Sequence, residues 1–141
     1  MSETPLAGAV LAMLIGLLLG LERESSQRPD EGLFAGIRSF PILALCGFLG
    51  AQAGSPLVLP AVLLAIGALV VASYLRTASG HVGATTEIVA ILAPLLGALV
   101  AWRQAALAAA LAVLVTLLLT LKAPLHRLAG SVTGEEILSV L

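Results

Sequence analysis

Apolar residues in this chain run in long blocks, and polar residues gather between them. Five blocks stand out, at residues 5–21, 39–54, 57–75, 88–102 and 104–121, the fourth extensible back to Thr85. None shows the strict alternation of a barrel strand, and Ala and Leu dominate, so each block predicts a helix. A helix needs about 20 apolar residues to cross the hydrocarbon of a bilayer, with a range of about 17–25. The first, third and fifth blocks reach that range, and the second is short. The pattern therefore predicts an all-α fold, an integral membrane bundle of about five transmembrane helices in residues 1–122. The first block has no basic region before it, only Glu3, so it is not expected to be a cleaved signal peptide.

The punctuation between blocks sharpens the boundaries. Ser39 can cap the second helix, and Pro41 fits its first turn. Ala53-Gly54-Ser55-Pro56 reads as a tight turn in which Pro56 starts the third helix. Thr85 or Thr86 can cap the fourth, with Glu87 in a first turn that favours a carboxylate. Pro94 removes a backbone donor inside that helix and should kink it. The fourth and fifth blocks meet in a very short hairpin and could form one broken unit. Residues 123–141 predict a cytoplasmic or interfacial segment, in which Thr133 and Glu136 have capping-box spacing ahead of a short amphipathic helix. So short a helix is marginal alone. It needs the membrane or a partner to pack on, or it opens a further part of a longer ancestral protein.

Small residues supply the next pattern. Gly8, Ala12, Gly16 and Gly20 recur every four positions and draw a stripe down the first helix. Gly47 with Ala51, and Gly50 with Gly54, repeat the spacing in the second, and Ala61, Ala65, Ala68 and Ala72 give the third a similar face. Such stripes let helix backbones approach closely. They predict helix packing through Gly8, Ala12, Gly16, Gly20, Gly47 and Gly50, and more close-packing surface than one small bundle uses. A homo-oligomer is expected, with the first or second helix near its interface.

Composition confirms the solvent and narrows the chemistry. Of 141 residues, 60% are hydrophobic and only 11% charged, against about 25% charged in soluble domains. The expected partner is a lipid bilayer. A net charge of −1 argues against nucleic acid. Cys46 lies alone in an apolar block and reads as a small buried hydrophobe. His81 and His126 are isolated, no nucleophile–base pair is visible, and no phosphate loop or Cys/His cluster appears, so neither an enzyme nor a cofactor is expected.

The few charges are unevenly placed. With five spans, Arg23, Arg28, Arg38, Arg76, Lys122 and Arg127 fall on one side and only Arg103 on the other. The positive-inside rule puts the six in the cytoplasm, with the N-terminus outside and the C-terminus inside. Tyr74 and Trp102 stand where interfacial aromatics belong. Glu22, Arg23, Glu24, Arg38, Thr86 and Glu87 then share the cytoplasmic face. Glu24 continues the row of Gly16 and Gly20, so it should point at a neighbouring helix if the first helix runs one turn further. Buried charges demand partners. Arg38, opening the second helix, is expected to pair with at least one of Glu22, Glu24 and Glu87. Two readings stand here: interfacial charges that set topology, or a polar pocket formed by the ends of helices one, two and four. A hard cation would want oxygen ligands, which Glu22, Glu24, Thr86 and Glu87 could supply. Arg23 and Arg38 argue against a dedicated divalent site and suit an anion or switching salt bridges equally, so a metal remains an open question.

Three segments, "GLLLGLERE", "AGIRSFPILALCGFLGA" and "GATTEIVAILAPLLGALV", occur in order at this spacing. Together they resemble the amino-terminal membrane domain of the MgtC/SapB family over about residues 8–122. "TLKAPLHRL" is similar to the subgroup that carries a second membrane domain after this one. The resemblance implies a multi-pass protein of the bacterial or archaeal inner membrane. It also implies links to magnesium limitation, to intracellular survival of pathogens and to control of the membrane ATP synthase. The family's acidic-basic motif falls on Glu22, Arg23 and Glu24, its second-helix arginine on Arg38, and its fourth-helix threonine and acid on Thr86 and Glu87. The soluble carboxy-terminal domain of some members is not expected here, while a second membrane domain or subunit is. Membership of that family does not by itself make a magnesium transporter. The expected function is a small-ion or solute transporter or channel, magnesium-linked, acting as an oligomer through the charged pocket. The alternatives are a non-transporting regulator that binds another membrane protein such as the ATP synthase, and a lipid- or envelope-related structural protein.

Overall fold

The computed structural model of the chain describes residues 4–26, 36–77 and 85–121. Five α-helices follow one another: α1 (Pro5–Ser26), α2 (Ser39–Gln52), α3 (Val58–Thr77), α4 (Thr85–Ala101) and α5 (Ala105–Thr120). Each apolar block is a helix, and the fourth does extend back to Thr85. Residues 122–141, with the expected amphipathic helix, lie outside the described residues. α1 and α3 are long and apolar enough to cross a membrane, and the other three are shorter apolar helices.

The boundaries depart from expectation in ways the local chemistry explains. Pro5 opens α1, where its missing N–H costs nothing, and the Thr4 carbonyl accepts the N–H groups of Ala7 and Gly8. α1 then runs through Glu22-Arg23-Glu24 to Ser26, because Leu, Glu and Arg are good helix formers. α2 stops at Gln52, just ahead of Gly54, whose φ of +71° turns the chain. Pro56 does not start α3: it lies in the turn, and Val58 opens the helix with its N–H on the Ser55 carbonyl at 3.3 Å. Ser39 does not cap α2 either. Arg38 holds the N-cap position without a side-chain bond, and Ser39 is the first helical residue, its N–H donating to Gly36 at 3.0 Å. α4 continues through Pro94 as one helix.

α4 and α5 are separate helices joined by Trp102-Arg103-Gln104. The Gln104 N–H reaches back to Leu99 at 2.9 Å and the Arg103 N–H to Val100 at 3.0 Å. This is a Schellman stop, a motif that places its left-handed residue where glycine usually sits. Here that residue is Arg103, with φ of +62°. Arg103→Gly is therefore expected to raise stability by about 0.5–1 kcal/mol, since the Cβ penalty disappears. Thermal unfolding of the purified variant checks this, and a lower melting point would mean that the arginine side chain compensates for its backbone.

α1, α2 and α4 pack against one another, α5 lies against α1 and α4, and α3 lies against α2 and α4. The contacts are made at small residues. A side chain at Gly16 would collide with the backbone of Phe40 and Pro41, and one at Gly20 would come within 2.9 Å of Ile37 Cα. At Gly8 the neighbour is the Phe48 ring, 2.7 Å from an added Cβ. So the α1 stripe meets α2 of the same chain, in antiparallel sense. Gly47 sits on the backbone of Pro94, and Gly97 on the carbonyl of Ala44, which makes the α2–α4 crossing the tightest of the described contacts. Gly97 was not anticipated from the sequence. The spacing that gives it away, Ala93-Gly97-Ala101, repeats the four-residue rhythm of α1. Phe40, Phe48, Leu19 and Leu96 fill the centre. The alanine stripe of α3 is different: Ala61, Ala65, Ala68 and Ala72 are all exposed, while Ile66 and Val70 are buried in the core and Val62 packs against it.

Candidate functional site

The helix senses gather Glu22, Arg23, Glu24, Arg38 and Glu87 at one end. α1 descends to it, α2 and α4 start from it, and Ile37 and Thr86 both bond to the last turns of α1. The opposite end carries two clefts. One, of about 230 Å³, lies between Thr4, Gln52 and Arg103, and another, of about 390 Å³, between Gly54, Ser55 and Trp102.

At the charged end the α1 residues divide into two roles. Glu24 is exposed, and its Oε2 accepts the Ile37 N–H at 3.1 Å. It serves the entry to α2, one turn below the contact of Gly20 with the same residue, and its carboxylate is favourable beside that helix N-terminus. The sequence expected Glu24 to point at a neighbouring helix; it is exposed instead and reaches only the backbone just ahead of α2. Glu22 and Arg23 turn inward instead. Their side chains are only 5% and 9% exposed, and Arg23 Nε lies 3.8 Å from Glu22 Oε2. Arg23 Nη1 donates to Thr86 Oγ1 of α4 at 3.2 Å, and Glu22 Oε1 accepts from Ser26 Oγ at 2.6 Å. Glu87, in the first turn of α4, lies within electrostatic reach of Arg23.

The cation that joins the helices is thus Arg23 and not Arg38. Arg38 is exposed, and it makes no ion pair with Glu22, Glu24 or Glu87 among the described residues. As the N-cap of α2, Arg38 stands outside the bundle, whereas Arg23 lies one turn below fully buried Leu19 on the inner face of α1. Of the six charged or polar residues expected here, the structure brings Glu22, Arg23, Thr86 and Glu87 together, places Glu24 at their edge and leaves Arg38 out. Sequence reasoning missed Ser26, whose hydroxyl holds Glu22. Its signal is the i, i+4 spacing that lets a serine reach back one turn.

Glu22 Oε2, Glu87 Oε2, Arg23 Nε and Arg23 Nη2 are buried without a hydrogen-bond partner. Buried polar atoms are nearly always partnered, by protein or by ordered water. No group of three or more His, Cys, Asp or Glu side chains comes together among the described residues to hold a metal.

The sequence model of the MgtC family matches residues 9–128, most of the chain and all five helices but for the first few residues of α1. The chain belongs to the MgtC family. Membership supports a membrane protein of the MgtC type, in agreement with the two membrane-length helices. No curated protein and no solved structure matches the chain.

Proposed function

We propose that this MgtC-family protein is a multi-pass inner-membrane protein that passes a small ion or solute, with the Glu22–Arg23–Thr86–Glu87 cluster at its cytoplasmic mouth. One observation carries the reading: four polar atoms of charged side chains are buried without a hydrogen bond where the ends of α1 and α4 meet. Buried charged atoms that make no hydrogen bond are costly unless water or an ion meets them. The orientation follows from the Lys/Arg asymmetry, which sets the N-terminus outside and the cluster end inside. The lipid-facing character of Leu6, Leu18, Leu64 and Leu118, all exposed, agrees with helices that cross the bilayer.

Purified protein in liposomes provides the test. Flux of one cation or anion above empty vesicles, abolished by Glu87→Gln, is the expected result. Absence of flux for every common ion would remove the pathway reading. A cysteine at position 30 on a Cys46→Ala background should label from the cytoplasmic side only, and labelling from outside would reverse the orientation.

The regulatory alternative has its own observation. α3 is the least buried of the two membrane-length helices, and its alanine stripe faces outward. That face suits another transmembrane helix, from a second copy or from a different membrane protein. Disulfide crosslinking through a cysteine at Ala65 separates the two partners by mass.

A further inference from the structure

We infer that the cluster at the ends of α1 and α4 binds one small monovalent cation. The inference rests on the ion-pathway reading and gives it a charge and a ligand set. Glu22, Arg23 and Glu87 sum to −1 in their ordinary ionised forms. A buried group of charges with a residual charge is costly, and a single positive charge removes the residue. An anion would double it. A divalent cation would overshoot to +1 and would meet the Arg23 guanidinium at close quarters with twice the repulsion.

The unpartnered atoms specify the ligands. Glu22 Oε2 and Glu87 Oε2 are buried carboxylate oxygens that accept no hydrogen bond, and Glu22 Oε2 has only the Arg23 Nε contact at 3.8 Å. Thr86 Oγ1 accepts one bond from Arg23 and keeps a second lone pair. Three hard oxygens on two helices suit an alkali cation better than a soft metal. Water brought in with the ion would accept hydrogen bonds from Arg23 Nε and Nη2, which make none within the protein. Glu24 contributes nothing: it is exposed and committed to the Ile37 N–H. Arg23 acts here as a valence filter, holding α1 to α4 through Thr86 while opposing any ion of higher charge.

The test uses the full chain in detergent and needs no transport. Its unfolding temperature is measured in lithium, sodium, potassium and choline chloride and in magnesium chloride, at one ionic strength. The expected result is a saturable rise with one alkali ion over choline, and no larger rise with magnesium. Glu87→Gln should weaken that ion by about ten- to a hundredfold, the loss of one charge-assisted contact. Thr86→Val, which keeps the shape, should weaken it in the same direction and stands in if Glu87→Gln does not fold. Equal unfolding temperatures in all salts, a stronger effect of magnesium, or an unchanged response in both variants would overturn the inference. Saturable binding without flux would retain the site and remove the pathway. Flux without any cation-dependent stabilisation would do the reverse.

Discussion

Arg23→Met lowers the stability of the purified protein by about 3–5 kcal/mol, the range for removing one partner of a buried ion pair. The reason is what remains. Methionine fills much of the volume, but Glu22 and Glu87 then face each other's field without a counter-charge, and Thr86 loses its donor. Arg23→Lys should restore only part of the loss. Lysine keeps the charge, but it lacks the planar fork that reaches Thr86 while remaining beside Glu22. Arg38→Ala provides the contrast: it removes an exposed side chain and should stay within about 0.5 kcal/mol of the parent. Denaturant titration in mixed micelles measures all three. If Arg23→Met costs no more than about 1 kcal/mol, the value typical of wet pairs, the cluster is hydrated and exposed in solution.

The second large effect is expected at the crossing of α2 and α4. Gly47→Val pushes a branched side chain into the backbone of Pro94, and the obstacle is main chain that no rotamer change can clear. Overpacking usually costs about 1–3 kcal/mol, and this site belongs at or above the top of that range. Gly67→Ala, on α3, is its counterpart. Nothing lies within 4 Å of an added Cβ there. That change should stabilise by up to about 1 kcal/mol through helix propensity alone. Opposite signs for two glycines in membrane-length or central helices would show that packing, and not helix propensity, decides. Equal responses would mean that the two helices can part without penalty.

The helices were legible because apolar runs of this length admit few other structures. Close packing was legible because glycine every four residues has little other use in a helix. The inward-facing charges were harder to read, and the cause is helical phase. The small-residue row of Gly8, Ala12, Gly16 and Gly20 leads directly to Glu24. Yet the buried face of α1 is wider than that row. It also includes Ile15 and Leu19, and one turn beyond Leu19 comes Arg23, with Glu22 beside it. Following the glycines alone finds the edge that meets α2 and misses the edge that meets α4. Arg38 misled for a related reason: an arginine at a helix start is placed by the loop before it, and the sequence does not encode that direction. The pairing of Arg23 with Thr86, 63 residues apart, depends on how α1 and α4 converge, which no local pattern contains.

α2 spans only fourteen residues, from Ser39 to Gln52. At 1.5 Å per residue it is about 21 Å long, while the hydrocarbon of a bilayer is about 30 Å thick. Because α1 and α4 flank it, the shortfall need not be made up by lipid. Clefts beside Gln52 and Ser55 leave room for water at the end away from the Glu22–Glu87 cluster. In an energised membrane the voltage would then fall mainly across the short dry middle, around Gly47 and Pro94. The field there would be steeper than across plain lipid. On the proposed pathway reading, an ion leaving the cluster would do most of its electrical work, about 2.3 kcal/mol per charge per 100 mV, within the few turns where Gly47 and Gly97 hold α2 and α4 together.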